Sequence, residues 1–401
     1  MNMVKKIMKT MGVVLLSATI TFSSSTINRA DEKMELPEVD MFNEKVVEEG
    51  NYELNSQIVS DNKMKSINEQ WISESLLPTA SMLSLATPGA NKTGNTKAEL
   101  IYTVTGLKYS SAIQNFSITG SYIYITQFDN SNSTILSRCK ITGTKSAQYM
   151  DHMFLSGFGH GESLALSNYN NKTYFYLGAV NNSKATYKEN GVTKYPQWSK
   201  QIARIQYQAG KTLKSSDVPR FSYLNRANPS GVSRGNVWRS ACAVTSKQIV
   251  FRTQFENGNI QYSFFPISKM NAVLSEAENK SNKEVSFSNN TTLQKMCTNS
   301  IIQKDANNNI VMPNGNFQGM DLSEVGNVYL TGGSSKNTYN RIARMGSDGT
   351  YKFRWDVTGL GQYTTEIEGI KCRGNDVVFA LEPIPSKITS TKKIYKAPVS
   401  N

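Results

Sequence analysis

The chain runs to 401 residues, 38% of them hydrophobic and 10% aromatic, with a formal net charge of +13. That is apolar material for one sizeable core, a single large domain or two small ones. Val, Ile, Thr, Tyr and Phe alternate with Asn, Gly and Ser, and few long Ala/Glu/Leu/Lys runs occur, so the composition points to mostly β structure and away from long helices. Two histidines (His152, His160) exclude a multi-histidine metal site. The four cysteines (Cys139, Cys242, Cys297, Cys372) show no zinc-module spacing and read as buried thiols.

From the N-terminus, "MNMVKKIMKT" is a basic stretch and "MGVVLLSATITF" an apolar one too short to span a bilayer. Together they predict a secretory signal over residues 1–30, with cleavage after Ser25 or Ala30. Residues 31–97 are expected to be an acidic leader and linker, closing on "LATPGANKTGNTK", and mostly disordered. The charge divides accordingly. Residues 1–30 hold Lys5, Lys6, Lys9 and Arg29 and no acid, while residues 31–75 hold twelve acids against four bases. Residues 76–401 therefore carry an excess of seventeen positive charges. Such a surface favours polyanions: nucleic acid, anionic membrane or anionic wall polymer; otherwise it serves solubility alone.

From about residue 98 a pattern recurs. Units begin at "IQNFSITGSYIYITQFD" (Ile113), "GESLALSNYNNKTYFYLGAV" (Gly161), "RSACAVTSKQIVFRTQF" (Arg239), "FQGMDLSEVGNVYLTGG" (Phe317) and "IEGIKCRGNDVVFALEP" (Ile367). Third strands are legible in "TILSRCKI", "KQIARIQY" and "NRIARM", with a shorter "KKIYKA". Period-2 alternation broken by Asn/Gly turns is the mark of antiparallel meanders. Five of them predict an all-β fold, a five-bladed β-propeller over residues 98–401. "AELIYTVTGL" (98–107) has no partner of its own and is expected to close the ring by joining the last blade. The competing architecture is a β-sandwich of irregular hairpins.

The second unit ends in "WSKQIARIQY" followed by "DVPRFSYLNRAN". This W-x-K-Q-I-A-R strand and D-x-P-R-x-S-Y-L-N-R segment resemble the helveticin J-like class III bacteriocins, carried here by Trp198, Lys200, Gln201, Arg204, Pro219, Arg220, Tyr223, Asn225 and Arg226. "GHGE", "STILSRCK" and the starts "FQGMDL" and "EIEGI" resemble the family too, so that the similarity spans about residues 98–396. The resemblance implies a β-propeller similar to domains of phage receptor-binding and teichoic-acid-associated proteins, antibacterial activity, and action at a Gram-positive envelope. The signal and the acidic leader lie outside it.

In a propeller the first strand of each blade starts near the central channel. The equivalent polar positions are Gln114, Glu162, Ser240, Gln318 and Glu368; two residues earlier on the same face stand Ala112, His160, Trp238, Asn316 and Glu366. Ser240 stands where a carboxylate is expected. The ligand-binding candidates are therefore Gln114, His160, Glu162, Trp238, Gln318, Glu366 and Glu368, suited to hydroxyl-rich or amine-bearing ligands. The same carboxyls suit acid/base cleavage of a glycosidic bond, or merely cap strands and hold channel water. For the arginine-rich segment, Pro219 predicts a crossing loop, Phe221 and Leu224 packing between blades, and Arg220 a clasp onto an acid of a neighbouring blade. The competing role is an anion site.

Asp305, Asn307 and Asn309 begin like a calcium loop, but Ile310 and Asn316 stand where glycine and glutamate are needed. No Walker loop, G-x-S-x-G or H-E-x-x-H is present. No cofactor, no metal, no nucleic acid and no transmembrane segment in the mature chain is expected. The expected function is a secreted, extracellular antibacterial protein whose partner is the Gram-positive cell envelope, through anionic wall polymers or surface glycans. A carbohydrate-active enzyme and a non-lethal cell-wall adhesin are the alternatives.

Overall fold

The computed structural model describes residues 92–129, 133–189, 192–304, 311–313, 316–332, 340–360, 365–383 and 390–399. The signal, most of the acidic leader and the Asp305–Asn309 stretch lie outside them. Two N-terminal strands come first: β1 (Lys92–Lys97) and β2 (Glu99–Thr105). The first meander follows as β3 (Ile113–Ile118), β4 (Tyr122–Phe128), β5 (Ser133–Gly143) and β6 (Ser146–Ser156). The second opens with β7 (Leu164–Tyr169) and β8 (Lys172–Asn181), is interrupted by a hairpin of β9 (Tyr187–Glu189) and β10 (Val192–Lys194), and resumes with β11 (Ser199–Ile205). β12 (Thr212–Lys214) crosses to pair with β6, and β13 (Arg220–Ser222) joins the second sheet beside β11, where β17 (Glu284–Ser286) adds the outermost strand.

The third meander is β14 (Val237–Val244), β15 (Gln248–Phe255), β16 (Ile260–Pro266) and β18 (Asn299–Gln303). Between its last two strands lie α1 (Ile267–Glu278), β17 (Glu284–Ser286) and α2 (Thr291–Lys295). The fourth is β19 (Gly319–Leu322), β20 (Val328–Gly332), β21 (Asn340–Met345) and β22 (Tyr351–Thr358); the fifth is β23 (Thr365–Arg373), β24 (Asp376–Pro383) and β25 (Lys392–Pro398). Strands thus begin at or within three residues of each repeat start read from the sequence. The fifth meander lacks a fourth strand of its own, and β2 supplies it by pairing antiparallel with β25 while its other edge runs parallel to β6. The last six residues of the stretch expected as linker are strand rather than coil: β1 pairs in parallel with β22.

Packing follows one rule throughout. Each successive pair of meanders encloses an apolar cluster, such as Phe158, Leu164 and Phe175 between first and second, or Phe221, Phe251 and Phe265 between second and third. A fifth cluster with Phe116, Ile125, Val378 and Ile394 joins the last meander to the first. Burying each such side chain contributes about 1.5–3 kcal/mol. The first strands touch in cyclic order, β3 to β7, β14, β19, β23 and back to β3. That approach needs glycine: a Cβ on Gly319 would stand 2.7 Å from the Cα of Gly369, itself at φ +68°.

Candidate functional site

Where the first strands meet, charged side chains are buried together. Glu162, on the turn into β7, is 7% exposed and receives three N–H groups. Arg239 of β14 forks onto it, Nε to Oε2 at 2.7 Å and Nη2 to Oε1, and the Trp198 indole donates to Oε1 at 3.0 Å. Arg239 also donates to the Phe317 carbonyl at 2.7 Å and lies over the rings of Trp198 (4.7 Å) and Phe317 (4.6 Å). Burial pulls its guanidinium below the usual range while Glu162 pushes it back. Arg252 of β15 stacks on the same Phe317 at 4.0 Å, and its Nε and Nη1 have no acceptor.

The fifth meander adds carboxyls. Glu366 accepts from the Gln318 amide. Glu368 is buried, and its Oε2 has no partner. Burial holds its pKa well above the ordinary carboxyl value, reinforced by Glu366, Glu162 and Glu382 and opposed by Arg239. Glu382 accepts from Lys392 Nζ and from the Ile113 amide, both at 2.9 Å, which ties the last meander to the first. Burial raises its pKa, with Lys392 acting the other way.

Of the candidates named from sequence, Glu162, Gln318, Glu366 and Glu368 come together through these contacts and charge interactions. Gln114 is buried and packs at Gly161, the residue before Glu162. Ala112 is half-buried and Asn316 is exposed. Ser240 does not face the cluster: its hydroxyl donates to the Ser199 carbonyl at 3.0 Å. A β-bulge between Val237 and Arg239 shifts the register, so Arg239 rather than Ser240 reaches Glu162. The expected missing carboxylate is thus a buried cation that neutralises one. Similar irregularities occur at Ile113/Asn115 in β3 and Glu368/Ile370 in β23.

Half-buried His160 bonds the Pro196 carbonyl through Nδ1 at 2.7 Å. Because a carbonyl only accepts, Nδ1 carries the proton, and burial lowers the ring's pKa. Trp238 is half-buried beside Trp198, ring centroids 6.0 Å apart.

The arginine-rich segment behaves differently. Phe221 and Leu224 are fully buried between second and third meanders, and Pro219 is buried ahead of β13. Arg220 donates to Gln201 at 2.9 Å and to Glu284 of β17 at 3.1 Å. Arg226 caps the Gly231 carbonyl at 2.9 Å, and Asn225 the Gly235 carbonyl at 2.8 Å. Tyr223 is exposed at φ 53°, and Lys200 is half-buried on β11. Arg204 runs into α1. Arg204, Arg220, Asn225 and Arg226 hold chain to chain, while the Trp198 indole serves the central cluster.

All four cysteines are free thiols. Burial pushes Cys139 and Cys242 up to about 12, Cys297 to about 11 and Cys372 well above the ordinary thiol value, all away from nucleophilic thiolate. Among the described residues no three His, Cys, Asp or Glu side chains gather as a metal site, and no helix is long and apolar enough to cross a membrane. Arg239, Arg252, Glu382 and Lys392 were not legible as site residues. The one signal for Arg239 was an arginine beside Trp238 opening the otherwise apolar "VWRSACAV".

Fold and site together define a mostly β protein of successive meanders that brings polar side chains from several of them into one buried cluster. The chain belongs to the helveticin J bacteriocin family, whose model matches residues 92–399, the whole of the five meanders. Bacteriocin helveticin-J of Lactobacillus helveticus is 29% identical over 137 residues, 33% of this chain and 40% of that protein's length. Among solved structures, an exo-β-1,3-galactanase of Clostridium thermocellum aligns at 12% identity with a TM-score of 0.40, over 74% of this chain and 62% of that one. A mannose phosphorylase of Leishmania mexicana aligns at 9% identity with a TM-score of 0.34, over 85% and 94%.

Proposed function

We propose that this is a secreted antibacterial protein of the helveticin J type, a five-bladed β-propeller that binds the Gram-positive envelope through anionic wall polymer and kills competing bacteria. The observation that carries this reading is the family match across all five meanders. The propeller reading is supported by the cyclic contacts of the first strands and by an apolar cluster between every neighbouring pair. Export is supported by the basic and apolar N-terminal stretches. The positive excess of residues 76–401 supports an anionic partner through long-range attraction that salt weakens.

The central cluster favours anchoring of a ligand over turnover. Three N–H donors occupy the Glu162 carboxylate, and Gln318 engages Glu366. One observation favours a second reading, a carbohydrate-active enzyme: burial holds the pKa of the Glu368 carboxyl well above the ordinary carboxyl value, the direction a general acid requires. A non-lethal adhesin is the third.

The test records cell-bound protein and viable counts together on a panel of Gram-positive bacteria, at low and high salt, with isolated wall polymers as competitors. Salt-sensitive binding with loss of viability is expected. Binding without killing would leave an adhesin. Release of reducing sugar that Glu368→Gln abolishes would establish the enzyme, and absence of binding would sink every envelope reading.

A further inference from the structure

The second meander is broken between β8 and β11 by the β9–β10 hairpin, and this insertion is unlike the rest of the surface. Among the described residues seven large hydrophobic side chains are exposed, and three of them, Tyr187, Val192 and Tyr195, fall here. Exposed apolar groups scattered singly need no explanation, but a concentration does. Tyr187 is 43% exposed and stacks on Trp198, centroids 5.9 Å apart and planes 20° from parallel. Trp198 in turn meets Trp238, and its indole N–H reaches Glu162 in the buried cluster. A run of rings therefore leads from solvent down to a carboxylate–guanidinium pair.

The backbone gives an independent sign. Val180, the last but one residue of β8, has φ 56°, and Gln197, two residues before β11, has φ 57°. Left-handed geometry is costly for any side chain with a Cβ and most of all for a β-branched one. Both ends of the insertion carry it. The surroundings impose it: Asn182 donates its backbone N–H to the Trp198 carbonyl at 2.6 Å and its side-chain amide to the Trp238 carbonyl at 3.0 Å. Asn181 donates to the Gln197 side chain at 2.5 Å, and His160 to the Pro196 carbonyl at 2.7 Å. These bonds fix the hairpin so that Tyr187 meets Trp198. A turn needing only to reverse the chain would use glycine at such positions.

The geometry points to a sugar-binding lip in which the exposed ring of Tyr187, backed by Trp198, stacks against the C–H face of a pyranose ring, with Tyr195 exposed on the same insertion. The half-polar chemistry suits this class: rings for the apolar face, and the Asn181, Gln197 and His160 side chains close by for hydroxyls. A bare polyol phosphate would offer nothing to the rings. The inference rests on the envelope-binding reading and names the part of the wall polymer that the protein recognises, a sugar ring rather than the phosphate backbone.

The test titrates the full chain with neutral tetrasaccharides of N-acetylglucosamine, glucose, galactose and mannose, and with glycerol phosphate polymer, by calorimetry and tryptophan fluorescence. Whole-cell binding is measured on the same preparations. At least one tetrasaccharide is expected to bind saturably and to perturb tryptophan emission, with Tyr187→Ala weakening it about tenfold and Tyr187→Phe retaining it. Tyr187 and Tyr195 are exposed, so both variants fold, and Tyr195→Ala serves as a second probe of the lip. Cell binding without any tetrasaccharide binding, or tetrasaccharide binding indifferent to both alanine variants, would overturn the lip and leave the envelope reading standing. Absence of cell binding by the wild type would instead overturn the envelope reading, and tetrasaccharide binding lost in Tyr187→Ala would still uphold the lip.

Discussion

Arg204 of β11 and Arg252 of β15 are 1% and 0% exposed, yet their surroundings differ. Arg204 reaches into α1, where Nη1 bonds the Asn271 carbonyl (2.9 Å) and side chain (3.0 Å). Its Nη2 bonds Ser275 (2.9 Å) and Glu278 (2.5 Å), and the Tyr174 ring covers the guanidinium at 4.1 Å. Only its Nε is left over. Arg252, beside the central cluster, has the Phe317 ring and a Met312 sulfur at 3.8 Å and lacks acceptors on two nitrogens. A buried donor set that is nearly satisfied specifies one packing. One left open is a cost that stability alone would remove. The comparison separates a clasp that builds the fold from the centre proposed to hold a ligand.

The clasp should give the largest stability effect. Arg204→Met removes four hydrogen bonds to α1 and leaves buried Asn271 short of a donor, at a cost of about 3 kcal/mol. Urea unfolding at neutral pH measures it, and a loss under about 1 kcal/mol would undo the contrast. Cell binding per folded molecule is expected to stay at the wild-type level.

The central cluster should make stability depend on pH. A carboxyl whose pKa is raised in the fold keeps its proton after the unfolded chain has lost it. Stability therefore falls as pH rises from the ordinary Glu value toward the folded value of Glu368. Glu382 and Asp321, also raised by burial, add to the same slope. Glu368→Gln removes one contribution, so the variant should be more stable than wild type at neutral pH, with the difference vanishing below the unfolded Glu pKa. Unfolding midpoints across that window decide it; a variant less stable at neutral pH would contradict the raised pKa of buried Glu368.

The smallest effect belongs to the motif arginine. Arg220→Lys keeps a cation near Glu284 but loses the simultaneous bonds to Gln201 and Glu284, costing about 1 kcal/mol. A double-mutant cycle with Glu284→Gln should show coupling of similar size, and no coupling would mean that Arg220 does not clasp β17 to β13.

Strand starts were legible because Asn/Gly turns and alternating apolar residues recur, and Glu162, Gln318, Glu366 and Glu368 could be placed by counting from them. Counting failed at Arg239. It assumes strict alternation, and the bulge at Val237/Arg239 inserts a residue that alternation does not foresee. Arg252, Glu382 and Lys392 escaped for another reason: they lie on second and third strands, where composition alone does not reveal which ends face the centre. The hairpin of β9 and β10 escaped the reading because its strands are three residues each. β1 was hidden in "KTGNTK", whose strand character comes from its parallel partner β22 rather than from its own residues.

The most direct measurement compares cell-bound protein for Glu162→Gln and Arg220→Lys at equal folded fraction, on a strain that the wild type binds. Glu162→Gln weakens the support beneath Trp198 and Arg239, so it should lose about tenfold in binding, while Arg220→Lys should match the wild type. Equal binding by Glu162→Gln and the wild type would contradict the claim that the ligand is held where the first strands meet.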